Sequence, residues 1–157
     1  MRTLDLSDIS EQVESLQPKS VIVGREGGVL GQLLRGQLRE YQEVALDWLV
    51  AMDKVKKHLP AVLGDVSGLD RRVTTAALFA HLAAERGDWG SPLLVAPLSA
   101  LDSWEGVFRA WCPALRVTVY PGGWRDRRRL RHDIANDIAS GNAPNVVLTS
   151  YRLLFLV

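Results

Sequence analysis

Asp65-Val66-Ser67-Gly68-Leu69-Asp70-Arg71-Arg72 is the segment of this chain whose residue types and spacing come nearest to doing chemistry. It lies between a short apolar run, Ala61-Val62-Leu63, and a helical pattern. A loop in that place suits phosphate. In the pattern G-x-x-x-x-G-K-[ST], backbone amides cradle the phosphates, the lysine reaches them and the hydroxyl binds magnesium. Set against it, the first glycine falls on Asp65, the second on Asp70, the lysine on Arg71 and the hydroxyl residue on Arg72. Gly64 comes one residue early and Gly68 sits in mid-loop. Taken alone, the match is poor, and an ordinary strand-to-helix loop accounts for it better.

The elements needed to position such a loop follow from periodicity. Leu38, Tyr41, Ala45, Trp48, Leu49 and Met52 recur at helical spacing. That helix should end by Pro60, with Lys54, Lys56, Lys57 and His58 at its C-terminal pole. Ala61–Leu63 reads as a buried strand. Asp70 is placed to cap the next helix, which carries Val73, Ala76, Ala77, Ala80 and Leu82 and stops at Gly87.

Leu93–Ala96, between Pro92 and Pro97, is the next strand. Ser99 with Asp102 three residues later resembles a helix start, and that helix should end before Pro113. Leu115–Tyr120 alternates as a strand closed by Pro121-Gly122-Gly123. A basic helix spans Trp124 to Ala139, and Asn145–Thr149 is the last strand. Strand and helix thus alternate through four strands. That order implies parallel crossover units in an α/β, doubly wound sheet with helices on both faces. Ligands of such sheets bind at the carboxyl ends of the strands. Before this lobe, residues 1–35 form a lead-in that is polar, then glycine-rich, with a short helix near 7–16.

Composition narrows the rest. The 157 residues suffice for one domain with a real core. Net charge is +1, from 19 basic and 18 acidic residues, so no global field draws in nucleic acid and any such contact must rest on local patches. The lone Cys112 has no disulfide partner and gives no metal site, which fits a reducing, intracellular setting. It reads as a buried, inert thiol. His58, His81 and His132 show no ligand-like grouping. No uncharged apolar run is long enough to span a membrane and no signal-type segment opens the chain.

Several blocks, in order, resemble the SWI/SNF-type chromatin-remodelling ATPases. They are Leu38-Arg39-Glu40-Tyr41-Gln42 with Leu46-Asp47-Trp48-Leu49, Ala80-His81-Leu82-Ala83, Trp89-Gly90, Pro97 and Ser99, Trp104-Glu105, Trp111-Cys112-Pro113, and Thr149-Ser150-Tyr151. The Ala-His-Leu-Ala and Trp-Cys-Pro strings look most like the variant-histone-exchanging branch, and the lead-in Gln17-Pro18 is similar to the segment before the ATPase core there. The family's phosphate loop reads D-E-M-G-L-G-K-T, so Asp65, Gly68 and Leu69 match it in register, and the departures are Asp70, Arg71 and Arg72.

The resemblance implies the first of two RecA-like lobes of P-loop NTPase type, present in part over 36–157. The family's lobes clamp ATP and magnesium between them and move along duplex DNA. By resemblance, the Gln42 position reads adenine, and the Asp65, Gly68, Asp70, Arg71 and Arg72 positions form a degenerate nucleotide loop. Pro97, Ser99, Thr149, Ser150, Tyr151 and Arg152 fall in blocks that touch the DNA backbone. The same resemblance implies a nuclear setting and duplex DNA, nucleosomes, remodeller subunits or a second helicase lobe as partners. The family's acidic box and second lobe lie beyond Val157.

The departures disfavour ATP. A carboxylate at position 70 repels polyphosphate, by about 4 kcal/mol for unit charges ~4 Å apart at an effective dielectric of ~20. Arg71 keeps the charge, but a planar fork is not a compact ammonium. Arg72 removes a magnesium-binding hydroxyl. Thr74 and Thr75 lie near in sequence, yet each helical residue turns about 100° from the last. Phosphoryl transfer needs several such parts together, so no ATP hydrolysis is expected of this chain alone and no residue is assigned a catalytic role.

Weaker signals carry plainer readings. Arg71 and Arg72 beside a helix start suit some other anion. The run from Trp124 to His132 suits nucleic acid, but Asp126, Asp133 and Asp137 dilute it, and a solvated helix face explains it better. Trp48, Trp104 and Trp111 read as core aromatics. Leu153-Leu154-Phe155-Leu156-Val157 is an apolar run that invites a partner or aggregation. Three functional classes follow: part of a DNA-dependent ATPase acting in chromatin remodelling or histone exchange, a non-catalytic binding module built on its first lobe, and a duplicate without a role.

Overall fold

The computed structural model describes residues 33–55, 61–87, 89–120 and 123–154. The expected helix near 7–16, the Gln17-Pro18 lead-in, the turn at Pro121-Gly122 and the terminal Phe155–Val157 lie outside the described residues, as do Lys56, Lys57, His58 and Pro60.

The first helix, α1, runs Glu40–Val55. Its deepest positions are Gln42, Leu46 and Val50, spaced by four, at 4, 0 and 2 % exposure. The stripe expected from the sequence is shifted: Tyr41, Ala45, Trp48 and Met52 are half-buried. Tyr41, Ala45 and Trp48 line an open cavity of about 710 Å³ with Val44, Val62 and Leu63.

Helix α2, Arg71–Arg86, follows Asp70 and ends at Gly87 as expected. Gly87 takes φ 62°, a left-handed stop whose N–H bonds to the Leu82 carbonyl. Asp70 does not cap as expected. It sits at φ 50°, ψ 54° and makes no side-chain cap bond, because a left-handed backbone turns its carboxylate away from the free amides of the first turn. On the buried side of α2, Ala76, Ala77, Ala80 and Ala83 present only methyl groups, which lets α1 and α3 approach closely.

Strand β1 is Leu93–Ala96. A single 3₁₀ turn, Leu98–Ala100, then leads into α3, Leu101–Trp111, so the helix starts one residue later than the Ser99 signal suggests. It ends before Pro113. Strand β2 is Val117–Val119, α4 is Trp124–Ala139 as expected, β3 is Val146–Ser150, and a one-turn helix, α5, covers Tyr151–Leu154.

The strands form one parallel sheet in the order β1-β3-β2. The chain moves outward from β1 to β2 through α3 and returns to β3 through α4. Right-handed crossovers that run in opposite directions place their helices on opposite faces, which is the doubly wound arrangement. Leu94 and Ala96 of β1 share the inward face with Val146 and Leu148 of β3, and all four are buried. Packed on them are Leu101, Phe108 and Cys112, then the alanine side of α2 and Leu46 and Val50 of α1. Phe108 is fully buried and stacks on Phe79 at 6.0 Å between ring centroids.

One expected strand is absent. Ala61–Val66 has no strand pairing, and Val62 is 84 % exposed. A three-residue apolar run has no strand stability of its own and needs a neighbour's free hydrogen-bonding edge. Among the described residues, nothing pairs with the outer edge of β1.

Candidate functional site: the rewritten loop and the strand ends

Two features sit where a doubly wound sheet binds ligands. The first is the loop before α2. Ser67, Gly68, Asp70, Arg71 and Arg72 line an open cleft of about 600 Å³ together with Trp104 of α3. Gly68 is at φ 97°, a conformation that favours glycine, so the loop's middle retains its turn. Asp70 reaches the left-handed region as a non-glycine, and aspartate is among the few residue types that tolerate it.

The altered side chains satisfy one another. Arg72 Nε lies 3.4 Å from an Asp70 carboxylate oxygen, and Arg72 Nη1 donates to Ser103 Oγ in the first turn of α3. Ser103 stands 31 positions away in sequence, so no spacing rule flags it. Arg71 is exposed and Asp65 half-buried. Neither nearby threonine offers a hydroxyl to the cleft. Thr74 is 1 % exposed, and Thr75 Oγ1 donates back to the Arg71 carbonyl at 2.9 Å. Among the described residues, no group of three or more His, Cys, Asp or Glu is arranged to hold a metal ion.

Gln42 has a local role. It is buried, and its Oε1 accepts the Arg39 backbone N–H at 3.0 Å. Arg39 precedes the first residue of α1 and Gln42 is its third, so this is the reach-back half of a capping box. The sequence hides it because arginine is not a capping type. Gln42 does not line the cleft formed by the loop.

The second feature is a pair of adjacent strand ends. In the β1–β3 pairing, Val95 lies opposite Thr149 and Ala96 opposite Ser150. The segments that leave these ends therefore start side by side. Pro97, Leu98 and Ser99 are exposed on one, and Tyr151 and Arg152 on the other. Thr149 and Ser150 are buried at 4 and 3 % exposure, and Thr149 Oγ1 has no hydrogen-bond partner among the described residues. Pro97, Ser99, Tyr151 and Arg152 thus face solvent, whereas Thr149 and Ser150 do not.

Two further expectations resolve in the same frame. On α4, Arg128, Arg129, Arg131 and His132 are exposed, and so are Asp126, Asp133 and Asp137, with Arg129 paired to Asp133 at 3.7 Å. Cys112 is fully buried, its thiol points at the Ala76 carbonyl at 3.6 Å, and burial pushes its pKa up to about 12.

Comparison with known proteins agrees with the fold. The SNF2-related domain matches residues 41–156. The chain is 43 % identical over 122 residues to Helicase swr1 of Emericella nidulans, covering 78 % of this chain and 7 % of that protein. It is 39 % identical over 151 residues to Helicase domino of Drosophila melanogaster, covering 95 % and 4 %. With Helicase ssl-1 of Caenorhabditis elegans it shares 36 % over 153 residues, covering 96 % and 6 %. Among solved structures, the Sulfolobus solfataricus SWI2/SNF2 ATPase core in complex with dsDNA superposes with a TM-score of 0.63 at 27 % identity, over 78 % of this chain and 23 % of that one. The chain thus spans only a small part of the relatives it matches. It belongs to the SNF2-related family, as a RecA-like fold with Helicase swr1 and Helicase domino among its relatives.

Proposed function

We propose that this chain is a non-catalytic form of the family's first ATPase lobe, a binding module that contacts duplex DNA or nucleosomes without using nucleotide. A magnesium nucleotide does not fit the residues present. The position where backbone should meet phosphate carries a carboxylate, Arg72 is engaged by Asp70 and Ser103, and both candidate hydroxyls are withdrawn. No reaction step is therefore assigned to ATP.

The observation that carries the binding reading is the side-by-side emergence of Pro97–Ser99 and Tyr151–Arg152 from the paired ends of β1 and β3. Exposed residues that offer a hydroxyl and a guanidinium in one strip suit phosphate-backbone contact that fixes position without reading sequence. The relatives support remodeller subunits as further partners, and a nuclear setting follows from the same reading.

The test is fluorescence anisotropy of a labelled duplex titrated with the full chain, with and without Mg–ATP and across a salt series. Binding independent of Mg–ATP, weakening as salt rises and reduced by Arg152→Glu, supports the proposal. No binding at physiological salt, or binding that requires Mg–ATP, contradicts it. A second reading, one part of a longer DNA-dependent ATPase, draws on the coverage of only 4–7 % of the three relatives named above. It predicts ATP turnover stimulated by duplex DNA.

A further inference from the structure

The three rewritten loop positions do not simply lose a function; two of them acquire a contact. Arg72 is held on one side by the Asp70 carboxylate and on the other by the Ser103 hydroxyl. Asp70 and Arg72 belong to the entry and first turn of α2, and Ser103 to the first turn of α3. The contact therefore ties two helix starts together across the cleft that Ser67, Gly68, Arg71 and Trp104 line. Both charged side chains are a little under half exposed, so the pair is accessible to ions from solution.

We propose that Asp70 is a built-in anion that occupies Arg72 in place of a phosphate, so that the cleft is self-blocked. Three observations point the same way. The Asp70 carboxylate is not spent on helix capping, although its position would allow that in another backbone conformation. Its left-handed backbone, at φ 50°, places the carboxylate beside Arg72. Arg72 has its Nε and Nη1 engaged by groups of this chain, leaving Arg71 as the exposed cation of the cleft.

Removing the carboxylate's charge then does two things at once. It frees Arg72 as a donor, and it removes the repulsion an incoming polyphosphate would meet. The ligand class released is a linear polyphosphate anion, bound by two guanidinium groups at a helix start. The proposal concerns only the loop; it stands or falls apart from the DNA contact proposed above.

The experiment is titration of inorganic pyrophosphate into the full chain, followed by isothermal calorimetry. Four proteins are compared: the natural sequence, Asp70→Asn, Asp70→Gly and the double variant Asp70→Asn with Arg72→Ala. Asparagine keeps the size and tolerates the left-handed backbone, and circular dichroism checks that each variant is folded. The natural chain should show no saturable binding up to millimolar pyrophosphate. Asp70→Asn should bind saturably, about tenfold below the millimolar limit at which the natural chain still shows no binding, a modest gain because the pair is partly screened by water. The double variant should lose that gain. Asp70→Gly, which also relaxes the backbone, should match or exceed Asp70→Asn. An Asp70→Asn protein that binds no better than the natural one overturns the proposal. So does a gain that survives Arg72→Ala.

Discussion

Asp70 and Arg72 approach to 3.4 Å, Nε to carboxylate oxygen, at the entry to α2. A partly exposed ion pair of this kind contributes little to stability, about 0.2–1 kcal/mol by general experience. Arg72→Ala should therefore lower stability by less than about 1 kcal/mol in urea denaturation. A loss of several kcal/mol would mean that the clamp holds α2 and α3 together rather than merely occupying Arg72.

Gln42 offers a sharper stability test. Its Oε1 bonds to the Arg39 amide at the start of α1 and the side chain is buried. Gln42→Ala should cost about 1 kcal/mol, whereas Gln42→Glu, which keeps the acceptor, should recover part of that loss. Equal losses in the two variants would show that the reach-back bond is not what the residue contributes.

The sequence disclosed the parts of this fold that depend on local pattern and concealed those that depend on neighbours. Leu93–Ala96 is readable because Pro92 and Pro97 bound a continuous apolar run, and Trp124–Ala139 because it follows the break at Pro121-Gly122-Gly123. Ala61–Leu63 has strand-like composition, yet it pairs with no strand among the described residues and leaves the outer edge of β1 open, so its pattern alone misleads. Likewise, Asp70 is a capping residue type, and only the backbone torsion shows that it serves Arg72 instead. Ser103 is invisible because its contact spans 31 positions. The family blocks identify the strand ends at Pro97–Ser99 and Thr149–Arg152, but not that Thr149 and Ser150 are buried while Tyr151 and Arg152 face solvent.

Cys112 gives a pH prediction. Burial raises its thiol from the ordinary value near 9.0 to about 12. A raised acid pKa means that the folded state holds the proton while the unfolded state releases it. The stability linked to this thiol is thus fully present below about pH 9 and lost as pH rises toward about 12. Iodoacetamide should leave Cys112 unmodified in the native protein at about pH 8, below the thiol's ordinary range, and alkylate it once urea unfolds the chain. Rapid labelling under native conditions would contradict the burial of this side chain.

Gly36 packs against the Trp111 ring. A Cβ at position 36 would lie 2.8 Å from the ring, closer than carbon atoms approach. Gly36→Ala should therefore destabilise the protein by about 1–3 kcal/mol, as overpacking does. Thermal unfolding measured on the single variant checks this, and an unchanged midpoint would show that Trp111 moves aside freely.

The central claim is that this lobe does not use a nucleotide, and direct binding of Mg–ATP to the full chain tests it most closely. Equilibrium dialysis with labelled ATP, with and without duplex DNA, should show no saturable uptake in either condition. Saturable binding at physiological ATP, with hydrolysis that rises when duplex DNA is added, would contradict the account and restore the chain to the catalytic members of its family.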